Sequence, residues 1–325
     1  MKSRRSFLAG FAALAAAPLA AQEKAARIYR IGVLETLAEP SNADNMKALR
    51  KELADEGYVE GKNLRIDYLS AEGQVDRFPR LAAELARRKV DLFVVNGTPA
   101  ALAARGVAPS IPVVAASALD PVDTGLVASL ERPGGNVTGM AILTSEVEKK
   151  RVELLWALAP GRKRLAVLVN MANPALASAW PAIEAAARTY KMQAQLLEVK
   201  RPGEAKGALE AALQKKADAL VVRVGALPEA ERRQLVELAA RHRLPAIYGQ
   251  RQAVEEGGLV SYGLNVPYLF GRAAGFAHKI LKGAKPGELA MEQPTKFELV
   301  INRKAVKALE LVVPPDLLLR SELVG

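Results

Sequence analysis

Residues 94–104 read "VVNGTPAALAA", and their order sets the reading of the whole chain. An apolar run of strand character stops at Asn96-Gly97, and Thr98-Pro99 then opens an alanine-rich helical segment. Threonine is a favoured helix N-cap and proline suits the first helical turn, so Thr98 is expected to cap a helix starting at Pro99. A strand that feeds a helix through so short a turn leaves free backbone N–H groups pointing beyond the strand end.

The same unit recurs outward in both directions. From Ile28 onward, the runs "IYRIGVL", "LRIDYL", "VDLFVVNG", "IPVVAAS", "RLAVLVN", "QLLEV", "ADALVVRVG" and "LPAIYG" alternate with helical segments. In "NADNMKALRKELADEGY", Met46, Leu49 and Leu53 share a helical face and Gly57 closes the helix. Strand and helix alternating at this spacing predict an α/β protein with parallel sheets covered on both faces. The series breaks at "ALDPVDTGLVASLERPGGNVTG", a Gly- and Pro-rich stretch without a long helical period, and resumes at "SEVEKKRVELLWALAP". Two doubly wound, Rossmann-like α/β lobes with a connection over residues 132–139 are the simplest expectation.

Composition is that of an ordinary globular protein: 325 residues, 50% hydrophobic and 25% charged. The start, "MKSRRSFLAGFAALAAAPLAAQ", has a basic head, an apolar stretch from Phe7 to Leu19 and small residues before Gln22. It is read as a signal peptide over residues 1–21, cleaved near Ala21, because a membrane span needs about 20 apolar residues. Arg4-Arg5 before Ser6-Phe7-Leu8 resembles the twin-arginine export signal. The chain has no cysteine, so neither a disulfide framework nor a lipid anchor on a thiol is expected, and a soluble periplasmic protein is. The net charge of +11 loses three positive charges with Lys2, Arg4 and Arg5. The remaining Lys and Arg residues sit beside Glu in "EVEKKRVELL" and "PEAERRQLVELAARHR", which reads as solvated helix faces and not as a nucleic-acid surface.

Enzyme chemistry finds little support. The two histidines, His242 and His278, lie in helical contexts, His242 near a helix C-terminus. No zinc-helix, serine-elbow, phosphate-loop or dinucleotide fingerprint occurs, and no cofactor or metal is expected. A secreted hydrolase on an α/β scaffold would need a nucleophile with a base, and none is evident.

Polar strand ends are what the sequence offers instead. They read "NGTPA" (96–100), "ASALDP" (116–121), "NMANP" (170–174), "RVGALPE" (223–229) and "YGQRQ" (248–252). Ligands of open parallel sheets bind beyond the carboxyl ends of the strands, so these stretches should face one another across a cleft. The candidate ligand contacts are Thr98, Ser117 and Asp120 on one wall and Asn170, Asn173, Gly225 and Gln250 on the other. Each of these residue types also serves turns and helix caps.

The segments "YVEGKNLRIDY", "DPVDTGLVASLERPGGNVTG", "GGLVSYG", "KILKGAKPGEL" and "EQPTKFELVINRKAVKALEL" resemble the tryptophan/tyrosine-type ABC-transporter substrate-binding proteins, from about Ile28 to the chain end. The resemblance implies a type I periplasmic-binding-protein fold, in which the chain crosses three times between lobes. It implies a first lobe of residues 28–139 plus 264–286 and a second of 140–263 plus 287–325. Leu119, where relatives commonly carry glycine, and Pro267, near where they carry an acidic residue, depart from the pattern.

The resemblance implies a monomer that closes on an amino acid or similar carboxylate-bearing solute and delivers it to an ABC permease. Gly134, Gly135 and Gly263 are suited to absorb the hinge motion. The same fold could instead serve a ligand-sensing module reporting to a membrane partner.

Overall fold

The computed structural model describes residues 27–201, 203–225 and 227–325, so the signal segment with Arg4 and Arg5 lies outside the described residues. The N-terminal part holds strands β1 (Tyr29–Glu35), β2 (Leu64–Ser70), β3 (Leu92–Asn96), β4 (Val113–Leu119) and β5 (Val137–Ile142). Between them lie helices α1 (Ala43–Asp55), α2 (Phe78–Arg87) and α3 (Thr98–Val107). The strands form one parallel sheet in the order β2-β1-β3-β4-β5.

The second sheet begins after α4 (Thr144–Leu158). It comprises β6 (Arg164–Asn170), α5 (Pro174–Ser178), α6 (Trp180–Thr189), β7 (Gln193–Val199), α7 (Glu204–Gln214), β8 (Ala219–Arg223), α8 (Glu229–Arg241), β9 (Ala246–Tyr248), α9 (Arg251–Glu255) and β10 (Val260–Leu264). Helix α10 (Val266–Leu281) follows, then β11 (Phe297–Asn302), α11 (Arg303–Ala308), α12 (Pro315–Arg320) and β12 (Glu322–Val324). The strand order is β12-β11-β10-β9-β8-β6-β7.

Periodicity explains both layers. In α2, Phe78, Leu81, Ala82 and Leu85 recur at helical spacing and all are buried against the first sheet. The other face of that sheet is covered by α1 and by α10, whose Phe270, Ala273, Ala277 and Ile280 share a core with Met46, Leu49 and Leu53. Helix α10 therefore packs on the first sheet although it follows the second sheet's β10. The second sheet is likewise covered on both faces, by α4 and α6 on one side and by α7 and α8 on the other.

The chain passes between the sheets after Ile142, between Leu264 and Val266, and again ahead of Phe297. Strand β5 stays in the first sheet as far as the Leu119↔Ile142 pairing, three residues past Gly139. The sheets are not wholly parallel: β10 and β11 pair antiparallel. Strands β6 to β10 run toward the cleft, whereas β11 enters from the cleft after the last crossing and so runs the opposite way. Asn265 fastens two crossings together. Its Oδ1 accepts the Tyr268 N–H at 2.7 Å as the cap of α10, and its Nδ2 donates to Glu298 at 2.7 Å. Pro267 occupies the first turn of that helix, where its missing N–H costs nothing.

The glycines expected at the hinge behave differently. Gly134 and Gly135 lie ahead of β5, where the Gly134 N–H donates to Gly287 O at 3.1 Å. Gly263 is held inside β10, where a Cβ would stand 2.1 Å from Gly249 O. Close approach of backbones demands a glycine there.

Candidate functional site

The strand ends of both sheets border one cavity of about 230 Å³. In the first sheet the order turns back at β1 and β3, and in the second at β6 and β8, and each of these switch points opens into the cavity. The first-lobe wall carries Thr36, Val75, Phe78, Asn96, Gly97, Pro99, Ser117 and Leu119. The second-lobe wall includes Glu148, Arg151, Leu176, Arg223 and Val224.

Five of the seven sequence-predicted contacts, Ser117, Asn170, Asn173, Gly225 and Gln250, line this cavity. Asn170 and Asn173 also perform local work: Asn170 Oδ1 accepts the Ala172 N–H at 3.0 Å, and Asn173 Oδ1 caps α5 through the Ala175 N–H at 3.1 Å. Gly225 adopts φ 74°, a left-handed turn that favours glycine.

Thr98 and Asp120 stand behind the wall. The N-cap of α3 is Gly97, at φ 94°, and Thr98 is the first helical residue. The Thr98 hydroxyl, fully buried, donates to Leu119 O at 3.0 Å and accepts the Leu119 N–H at 2.9 Å, which commits its only proton to the protein. Asp120 accepts the Thr144 N–H at 2.9 Å and the Thr144 hydroxyl, tying the end of β4 to the start of α4 across the first crossing. A carboxylate there complements the helix dipole. Both residues hold the frame of the site, and their polar atoms are directed into the protein.

Charged residues that the sequence concealed dominate the second wall. Glu148 and Arg151 belong to the "EVEKKRVELL" segment read as a solvated face, yet the Glu148 side chain is 2% exposed and that of Arg151 11%. Arg151 donates to Glu148 and, through Nε, to Tyr262 O at 2.8 Å. Arg223, also 2% exposed, places Nε 2.8 Å from Glu148 Oε1, close enough for an ion pair but not aligned as a hydrogen bond. Its Nη1 donates to Leu176 O at 3.0 Å. Glu148 Oε2 has no hydrogen-bond partner. Burial pushes the Arg223 guanidinium below its ordinary range, against the pull of Glu148. The available signal was spacing: Glu148, Arg151 and Leu155 fall three to four residues apart, on the buried side of α4.

The first wall holds a second buried carboxyl. Glu35 ends β1, is fully buried, and accepts from Asn96 Nδ2 at 2.6 Å and from the Thr36 N–H. Burial raises it to about 7, and these hydrogen bonds only partly oppose the rise. Among the described residues no group of three or more His, Cys, Asp or Glu is placed to hold a metal. His278 stands 3.4 Å from Glu56 and His242 caps the end of α8, both away from the cavity lining.

A sequence profile of the family described as ABC transporter substrate binding protein matches residues 30–324. A tyrosine-binding protein of Clostridioides difficile (strain R20291) is 28% identical over 281 residues, 86% of this chain and 81% of that protein. The ABC domain from Streptococcus pneumonia in complex with L-Trp covers 92% of this chain and 100% of its own at 26% identity, with a TM-score of 0.83. A ligand-free, open substrate-binding protein with adhesive properties from Clostridium difficile is 25% identical, covering 92% of this chain and 99% of its own, with a TM-score of 0.65.

Proposed function

From the premise that the chain belongs to the ABC transporter substrate-binding protein family, we propose that it is the solute receptor of an importer, closing its lobes on an amino acid and presenting it to a membrane permease. The observation that carries this reading is the cavity between the strand ends of two sheets, with polar residues at both switch points, charged residues on the second wall and apolar side chains between them. At about 230 Å³ it lies below the 300–1,000 Å³ typical of drug-sized ligands and suits a small metabolite.

The solute carboxylate faces the start of α3, where first-turn N–H groups and the positive dipole end are available. Ser117 on the first wall and Asn170, Asn173, Gly225 and Gln250 on the second surround its polar head. Phe78, Val75, Leu176 and Val224 receive an apolar side chain. A tyrosine-binding relative and an L-Trp complex both support an aromatic amino acid. At nearly equal identity, the chain superposes better on the L-Trp complex than on the open, ligand-free protein, which supports a closed arrangement of the lobes.

Export through the twin-arginine-like segment would place the receptor in the periplasm, and no described helix is long and apolar enough to cross a membrane. A thermal-shift screen of the protein against L-amino acids, aromatic acids and sugars tests the reading, because a ligand that binds only the folded state raises its stability by mass action. Stabilisation by amino acids is expected. Stabilisation by sugars alone would refute it.

A further inference from the structure

The first-lobe wall ends in a hydrogen-bond chain with a direction. Ser117 Oγ donates to Asn96 Oδ1 at 2.7 Å, and Asn96 Nδ2 donates to Glu35 Oε1 at 2.6 Å. The other Glu35 oxygen accepts the Thr36 N–H, and Leu37 contributes a further backbone N–H. An ionised carboxylate only accepts, so it obliges Asn96 to turn its nitrogen toward Glu35 and its oxygen toward Ser117. Ser117 then spends its single proton on Asn96 and offers the cavity only lone pairs.

We propose that Glu35, a positioning residue that never touches the solute, fixes Ser117 as an acceptor through Asn96 and so makes the first-lobe wall a reader of the solute's α-ammonium group. This rests on the amino-acid reading above and adds which group is read and by what. Ser117 and Asn96 both line the cavity, while Glu35 lies behind them at the end of β1, at the first sheet's switch point. The start of α3 follows Asn96 after the single residue Gly97, which places a reader of carboxylate and a reader of ammonium on the same wall of the cavity.

The relay has a built-in condition. When Glu35 takes a proton it becomes a donor, Asn96 can reverse, and Ser117 then turns its own proton into the cavity against the ammonium group. Because Glu35 sits at about 7 without solute, affinity for an amino acid weakens as pH falls below that value. The titratable neighbour on β2 is the Tyr68 phenol, held neutral by burial and by Glu35 and bonded to Leu37 O at 2.6 Å, with Glu39 beyond it. The charged groups of the facing wall are Glu148, Arg151, Arg223 and Arg232.

Glu35→Gln reverses the relay without a pH change. The two backbone N–H groups demand the glutamine oxygen, so its amide nitrogen faces Asn96 and reverses the chain. Calorimetric titration would compare L-tryptophan and L-tyrosine with their des-amino acids, for wild type and Glu35→Gln, at about pH 5.5 and about pH 8. Wild type should bind the amino acid roughly tenfold or more tightly at the higher pH, and Glu35→Gln should bind it weakly at both. The des-amino acids should bind weakly to wild type, with no such pH dependence. Ser117→Ala leaves Glu35 in place, should lose a similar factor and the pH dependence, and carries the test if Glu35→Gln melts too low to titrate. Equal affinity of wild type for amino and des-amino acids, or an unchanged pH profile in the variants, would overturn the relay alone. Binding of neither amino acid at any pH would overturn the functional reading and the relay with it.

Discussion

Arg223 and Glu148, each 2% exposed, face one another at 2.8 Å on the cavity wall, and Arg151 shares the same carboxylate. One buried carboxylate thus serves two guanidinium groups. Removing it by Glu148→Ala leaves both cations without their nearest counter-charge, and the loss of one partner from a buried pair costs about 3–5 kcal/mol. Denaturant unfolding of Glu148→Ala should show that loss. A change within about 0.5 kcal/mol, the level of an ordinary surface substitution, would mean that the cluster is solvated.

Thr98→Val tests whether the start of α3 is frame or contact. The hydroxyl both donates to and accepts from the Leu119 backbone, so valine leaves a part-buried N–H and C=O without that partner, at up to about 1–3 kcal/mol for such a group. Stability should fall while amino-acid affinity of the folded protein stays as it was. A loss of affinity with unchanged melting would put the hydroxyl on the solute instead.

Gly249→Ala addresses Arg151. A Cβ at 249 would stand 3.0 Å from Arg151 Nη2, at a position where backbone dihedrals do not themselves demand glycine. The guanidinium must give by a few tenths of an ångström, and if Arg151, which lines the cavity, donates to the solute, the loss of that charged hydrogen bond should lower affinity for an amino acid by about tenfold. Titration with L-tryptophan reads this, and unchanged affinity would remove Arg151 from the recognition wall.

Two buried carboxyls give stability opposite pH slopes. Asp67 is held below the usual carboxylate range by its hydrogen bonds to Arg30 and Arg88, so its contribution is present above the unfolded value of about 3.9 and is lost as pH falls through the folded value. Glu35, raised to about 7, works the other way: the folded state holds a proton that the unfolded chain releases near 4.5, so stability declines as pH rises from there through about 7. Unfolding free energies across this range should show the decline in wild type and a smaller one in Glu35→Gln. Identical curves would place Glu35 in a solvated setting.

The alternation of apolar runs and helical segments was legible because each strand of a doubly wound sheet is buried on both faces, as the run Leu92–Val95 shows. Ser117, Asn170 and Gln250 could be found because small polar residues after such a run must fall at the cleft. Thr98 could not be judged from its type: a threonine at a helix start caps, contacts ligand or braces a neighbouring strand, and only the hydrogen bonds of its hydroxyl to the Leu119 backbone at the end of β4 decide. Glu148 and Arg151 were hidden for a related reason. Alternating charges on a helix read as a wet surface, and the three-to-four-residue spacing of Glu148, Arg151 and Leu155 says only that they share a side of α4, not that this side borders the cavity.

The most direct test of a receptor that binds an amino acid between two lobes is calorimetric titration of the purified protein with L-tryptophan and L-tyrosine at neutral pH. Saturable binding of at least one at a single site per chain is predicted. Absence of heat and of thermal stabilisation with both, while a sugar or another solute without an α-amino acid group binds the same protein, would contradict the account.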